Sequence, residues 1–124
     1  FVSDEDRFSM QALADLLREA QQRSVLTVDD LYLDEPHVIA LLRSDPVLAA
    51  HWQDYRRITG TQSGAEKPEG TYAVKIAAKK RSIDPLVQMN DGLRRFTAVS
   101  ADYAAKLAAF RADDFDRWVW AKYE

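Results

Sequence analysis

The stretch that most constrains this chain is Thr71–Thr97, TYAVKIAAKKRSIDPLVQMNDGLRRFT, because its periodicity changes midway. Tyr72, Val74 and Ile76 fall on one side of an extended backbone, and Ala73, Lys75 and Ala77 fall on the other. That alternation is the mark of a half-buried strand. Lys79, Lys80 and Arg81 follow, and Asp84-Pro85 then sets a helix start with Pro at the first helical position. Leu86, Met89, Leu93 and Phe96 recur at helical spacing and predict a helix behind Pro85. A lone strand leaves its ladder hydrogen bonds unmade. No second strand pattern is found, so its partner is expected from the loop after residue 60, the Phe1 end, a missing part of a parent chain or another subunit.

The charge of this segment sets it apart. Residues 71–99 carry six Lys/Arg against two Asp/Glu, whereas the first 70 residues carry seven against thirteen. Over all 124 residues the net charge is −3, which argues against a general nucleic-acid binder but leaves room for one local phosphate contact. A hydrophobic content of 47% supports one domain with a real core and disfavours two. There is no cysteine, so disulfide and thiolate chemistry are out of reach and a cytoplasmic setting is expected. No apolar run nears the roughly 20 residues that span a bilayer, so no membrane partner is expected. The chain begins Phe1-Val2-Ser3 without an initiator Met, which reads as a piece of a longer protein.

Taken in order, the first 59 residues read as helices. Ser3-Asp4-Glu5-Asp6 is a capping box, with Ser9 as an alternative cap, ahead of a stripe of Leu13, Leu16, Leu17 and Ala20. Thr27 to Asp30 repeats the cap pattern before a short helix or turn through Leu31, Tyr32 and Leu33. Asp34-Glu35-Pro36 starts the next helix, and Ser44-Asp45-Pro46 ends it and starts another, with Gly60 as its C-terminal cap. Residues 60–70, GTQSGAEKPEG, read as an exposed loop. The remainder, 71–124, is expected to hold one strand and two helices, the last capped by Ser100 and running to Lys122 or beyond, with Trp118 and Trp120 on different faces. The expected fold is thus mainly α: a compact helical bundle with one short strand or small β element near residues 71–78.

Chemistry-bearing patterns are few. His37 lies near Asp34 and Glu35, and His51 near Asp54, but neither has the spacing of a zinc motif. No serine sits in a nucleophile elbow. The acidic pairs Asp29/Asp30, Asp34/Glu35 and Asp113/Asp114/Asp116 occupy helix starts or solvated faces. No catalytic residue and no metal ligand is therefore assigned. The basic group is the exception: Lys75, Lys79, Lys80, Arg81, Arg94 and Arg95 are close in sequence. A strand end, a basic turn and a helix amino terminus would together suit a phosphate or a nucleotide. The same cations equally serve to balance the acidic amino-terminal half. Trp118, Trp120 and Tyr123 form an aromatic end suited to docking a partner.

Three segments, VLTVDDLYLDEPHVIALL at 25–42, YAVKIAAKKRSIDPLVQ at 72–88 and FRADDFDRWVWAKY at 110–123, together resemble the carboxy-terminal region of HD-superfamily phosphohydrolases. The relatives in view are the large proteins similar to deoxynucleoside triphosphate triphosphohydrolases, and the KKR-x-IDP segment is the most specific part. The resemblance implies a metal-dependent hydrolysis of a phosphate ester, with a divalent metal held by His and Asp residues in a core outside these residues. It departs from the family in having no His-Asp dipeptide, and His37 and His51 match no ligand position. These residues would be a non-catalytic accessory region, inert alone, in which Lys79, Lys80 and Arg81 seat nucleotide phosphates or close a subunit interface. The alternative is a protein-protein interaction or oligomerisation module with no ligand role.

Overall fold

The computed structural model describes residues 3–77 and 79–123. Helix α1 (Asp4–Gln22) begins where the capping box places it: the Ser3 hydroxyl accepts from the Asp6 amide at 3.1 Å, and Asp4, Glu5 and Asp6 fill the first turn. Negative charge there complements the helix dipole. A single 3-10 turn, Asp29–Tyr32, is tied by Thr27 and Asp30, which bond each other reciprocally. Asp34 caps α2 (Glu35–Ser44) and Asp45 caps α3 (Pro46–Arg56), each with a proline in its first turn.

Leu16, Ala20, Leu26, Leu42, Leu48 and Trp52 meet between α1, α2 and α3 and form the larger core. The second core lies toward the amino-terminal end of α1, where Phe8 packs on Val74 and Val119 of a sheet. One helix therefore serves both layers. Its stripe at Leu13, Leu16, Leu17 and Ala20 faces the other helices, while Phe8 and Ala12 face the sheet.

That sheet overturns the expectation of a helical bundle. Three antiparallel strands, β1 (Ile58–Gly64), β2 (Ala73–Val74) and β5 (Trp118–Tyr123), lie in the order β1-β5-β2, and a second sheet pairs β3 (Leu86–Met89) with β4 (Gly92–Arg95). The fold is mixed α and β. Residues 60–64 belong to β1, so the stretch expected as a loop from 60 to 70 is extended and paired over its first half, and the expected cap Gly60 lies inside the strand. α3 already ends at Arg56. The strand expected at 72–76 is present as Ala73–Val74, and its partner lies within the chain: Ala73 faces Trp120 and Val74 faces Val119.

Two expected helices are also corrected. Behind Pro85 the chain forms the β3-β4 hairpin, pairing Leu86 with Arg95 and Gln88 with Leu93. Gly92 closes its turn at φ +123°, a region where glycine meets no Cβ penalty. The hairpin leads through a single helical turn, α4 (Phe96–Val99), into α5 (Ala101–Ala112), which Ser100 caps as its sequence predicts. α5 stops at Ala112 because Asp113 and Asp114 turn the chain: Asp113 Oδ1 accepts from the Phe115 amide and Asp114 Oδ1 from the Asp116 amide. Phe115 then adopts φ +54°, and β5 begins three residues later.

Candidate functional site

The helix amino terminus expected at Pro85 does not form, and the paired members of the basic group take separate partners. Lys75 Nζ pairs with Asp116 at 3.0 Å. Lys80 Nζ donates to the Arg111 carbonyl at 2.7 Å and lies 5.5 Å from the centre of the Phe115 ring. These two cations thus flank the turn before β5. Arg94 pairs with Asp91 across the hairpin turn, and Arg95 donates to the Asp84 carbonyl at 2.8 Å. Lys79 and Arg81 are exposed and have no polar partner among the described residues.

Asp84 in turn fastens the hairpin to the helices behind it. Its carboxylate accepts from the Thr97 amide at 3.0 Å and the Thr97 hydroxyl at 2.7 Å. Those two bonds, the amide first, hold its pKa below the usual carboxylate range. Tyr103 donates to the Ile83 carbonyl, and its ring packs on Phe96 at 4.8 Å. The result is an arm, residues 79–112, whose hairpin carries Leu86, Met89 and Leu93 at 54%, 40% and 63% exposure. Cross-strand pairing sets Leu86, Gln88, Leu93 and Arg95 on one face of it.

The aromatic end sits in a strand instead of on a helix. Trp118 and Trp120 therefore share a face of β5, and Val119 between them is buried on the other. Trp118 is half-buried with Lys67 and Lys75 at 5.5 and 5.9 Å from its ring, and Trp120 Nε1 donates to Gln62 at 3.0 Å. Tyr123, half exposed, reaches the rim of a cleft of about 240 Å³ between α1, α3 and the sheet. Phe8, Tyr55, Tyr72, Asp15 and Asp54 line the same cleft.

Tyr72 donates to Asp15 Oδ2 at 2.5 Å, and burial, then that bond, push the phenol well above its ordinary pKa. Asp15 also accepts from Gln11 at 2.7 Å and Arg18 at 3.0 Å. The Asp54 side chain has no polar partner among the described residues. His51, at the cleft wall, is held by Glu19 at 3.0 Å, and His37 by Asp30 at 3.1 Å. Among the described residues no three His, Asp or Glu side chains gather as a metal site would require. The cleft draws on residues 8 to 123, and sequence reasoning missed all of it except Tyr123. No local pattern signals it, since the alternation around Tyr72 marks the strand and not what the phenol faces.

The fold and these surfaces define a small module of mixed α and β structure, with a cleft against its three-stranded sheet and a hairpin that pairs with no other strand among the described residues. Comparison of the chain with protein-family models, with curated proteins and with solved structures finds no match. Among the described residues no helix is long and apolar enough to cross a membrane.

Proposed function

We propose that this chain is a non-catalytic oligomerisation module in which β3 of one copy pairs with β3 of a second. The observation that carries this reading is the state of the hairpin. Among the described residues β3 is bonded only to β4, and Leu86 and Met89 stand exposed along it. A two-stranded hairpin is marginal in water unless it gains a further strand or a packing surface. Free edges are ordinarily blunted by charge or proline. The β4 edge is guarded by Arg94 and Arg95, whereas β3, Leu-Val-Gln-Met, carries neither charge nor proline. Antiparallel pairing of β3 with its own copy opposes no like charges, and a two-fold axis is the commonest symmetry of such contacts. The same pairing through β4 would set arginines against arginines.

The resemblance to HD-superfamily phosphohydrolases gives this module a setting. It would join subunits of a larger cytoplasmic enzyme whose divalent metal and catalytic residues lie elsewhere. Lys79 and Arg81, the two members of the basic group with no polar partner among the described residues, would be the ones left to meet a nucleotide phosphate there. Sedimentation velocity across a concentration series tests the central claim. The chain is expected to dimerise, and L86K/Q88K is expected to stay monomeric with an unchanged circular dichroism spectrum. Arg94→Glu, on the guarded edge, is expected to leave the dimer intact. A wild-type chain that stays monomeric throughout, or a dimer that ignores the β3 charges, refutes the reading.

A further inference from the structure

We propose that the cleft between α1, α3 and the sheet is a binding site for a small organic cation, an ammonium group carried on a short apolar body. The lining has the two parts such a ligand needs. Phe8, Tyr55, Tyr72 and Tyr123 supply aromatic surface, and Asp15 and Asp54 supply negative charge. Ring faces attract cations through their quadrupole, and carboxylates do so directly. Among the described residues no Lys or Arg lines the cleft, and Arg18 meets it only through Asp15.

Three of the four rings are fixed in advance. Phe8 and Tyr72 meet edge to face at 5.8 Å, and Tyr55 stacks on Trp52 at 5.7 Å. Pre-set walls leave less ordering to be done on binding. The carboxylates differ in their freedom. Asp15 is already engaged by Tyr72, Gln11 and Arg18, so it shapes the wall and holds the phenol in place. Asp54 is uncommitted among the described residues and is the group left to meet an incoming charge. Of the other polar groups in the lining, His51 is turned to Glu19 and Tyr72 keeps its proton. A volume of about 240 Å³ is below the range of drug-sized sites, which runs from roughly 300 to 1,000 Å³. It admits one ring or a short alkyl chain with its head group.

The site rests on different residues from the β3 edge, so either reading can fail without the other. Isothermal titration of the intact chain at neutral pH with phenethylammonium, 2-phenylethanol and 3-phenylpropionate compares one apolar body under three charges. The cation is expected to bind at least tenfold more tightly than the alcohol, and the carboxylate not at all. Asp54→Asn, on the surface, is expected to shrink the cation's advantage several-fold and to leave the alcohol unchanged. Ala12→Phe, which fills the cleft from α1, is expected to abolish both. Failure of all three probes to bind, equal binding of the three, or cation binding indifferent to both substitutions overturns the proposal.

Discussion

Replacing Arg7 with Met tests the account of how the two layers are held together. Arg7 is 5% exposed, and its guanidinium donates to the Ile76 carbonyl at 2.7 Å, the Phe115 carbonyl at 3.1 Å and Asp4 at 2.5 Å. It also lies 5.1 Å from the centre of the Phe115 ring. One side chain on α1 thereby clips both the segment after β2 and the turn before β5. That turn needs holding, since Phe115 occupies the left-handed region at φ +54°, which costs a non-glycine residue about 1–3 kcal/mol. Breaking a buried ion pair from one side costs about 3–5 kcal/mol. Two features place Arg7→Met near the lower end. Asp4 keeps Arg117 at 3.0 Å, and Arg7 Nε has no partner to lose among the described residues. A loss of about 3 kcal/mol is a large part of the about 5–15 kcal/mol that holds a typical domain. With a urea slope of roughly 1.5–3 kcal/mol per molar, the midpoint should fall by about 1–2 M. Urea titration at neutral pH, followed by circular dichroism, reads this directly. Arg117→Met, on the more exposed partner, should cost clearly less. An Arg7→Met loss below about 1 kcal/mol would refute the clip.

Acid should release the same network. Burial pushes the Asp4 carboxyl up, but the hydrogen bonds from Arg117 and then Arg7 outweigh it and leave its pKa below the ordinary value. A carboxylate depressed in the folded state contributes stability above its unfolded pKa, about 3.9, and loses it as pH falls through the folded value. The urea-midpoint gap between wild type and Asp4→Asn should therefore be full at pH 7 and close below about pH 4. A gap that does not vary with pH would contradict this sign. Asp45→Ala removes the cap that accepts from Val47 and Leu48 at 2.9 and 3.1 Å, and thermal melts should show a loss of about 1 kcal/mol. Because Asp45 also meets Arg23 at 3.3 Å, Arg23→Ala should reproduce only a small part of that loss.

What was legible in this sequence lay within three or four residues. Ser3, Asp34, Asp45 and Ser100 cap helices as their neighbours predict, because a cap is one side chain bonding an amide two or three residues on. The errors came where structure is decided across the chain. Leu86, Met89, Leu93 and Phe96 fit a helical period, yet Asn90-Asp91-Gly92 is a turn triplet, and folding there also brings Leu86 and Leu93 to one face. Pro85 suits either outcome, so it decided nothing.

WVWAKY alternates as a strand does, but only five residues separate it from a good helix, and it reads as its continuation unless Asp113 and Asp114 end it. β1, Ile-Thr-Gly-Thr-Gln-Ser-Gly, has no apolar period and exists as a strand because β5 pairs with it. Strand stability comes from what lies across the ladder, which a local pattern does not contain. The two candidate sites follow from the same physics. A helical reading of residues 86–96 conceals the β3 edge, since a helix satisfies its own backbone and has no edge to offer. The cleft was hidden because its walls come together only when β5 closes against α1. Its cation preference then hangs on Asp54, a residue that the helix carrying it does not require.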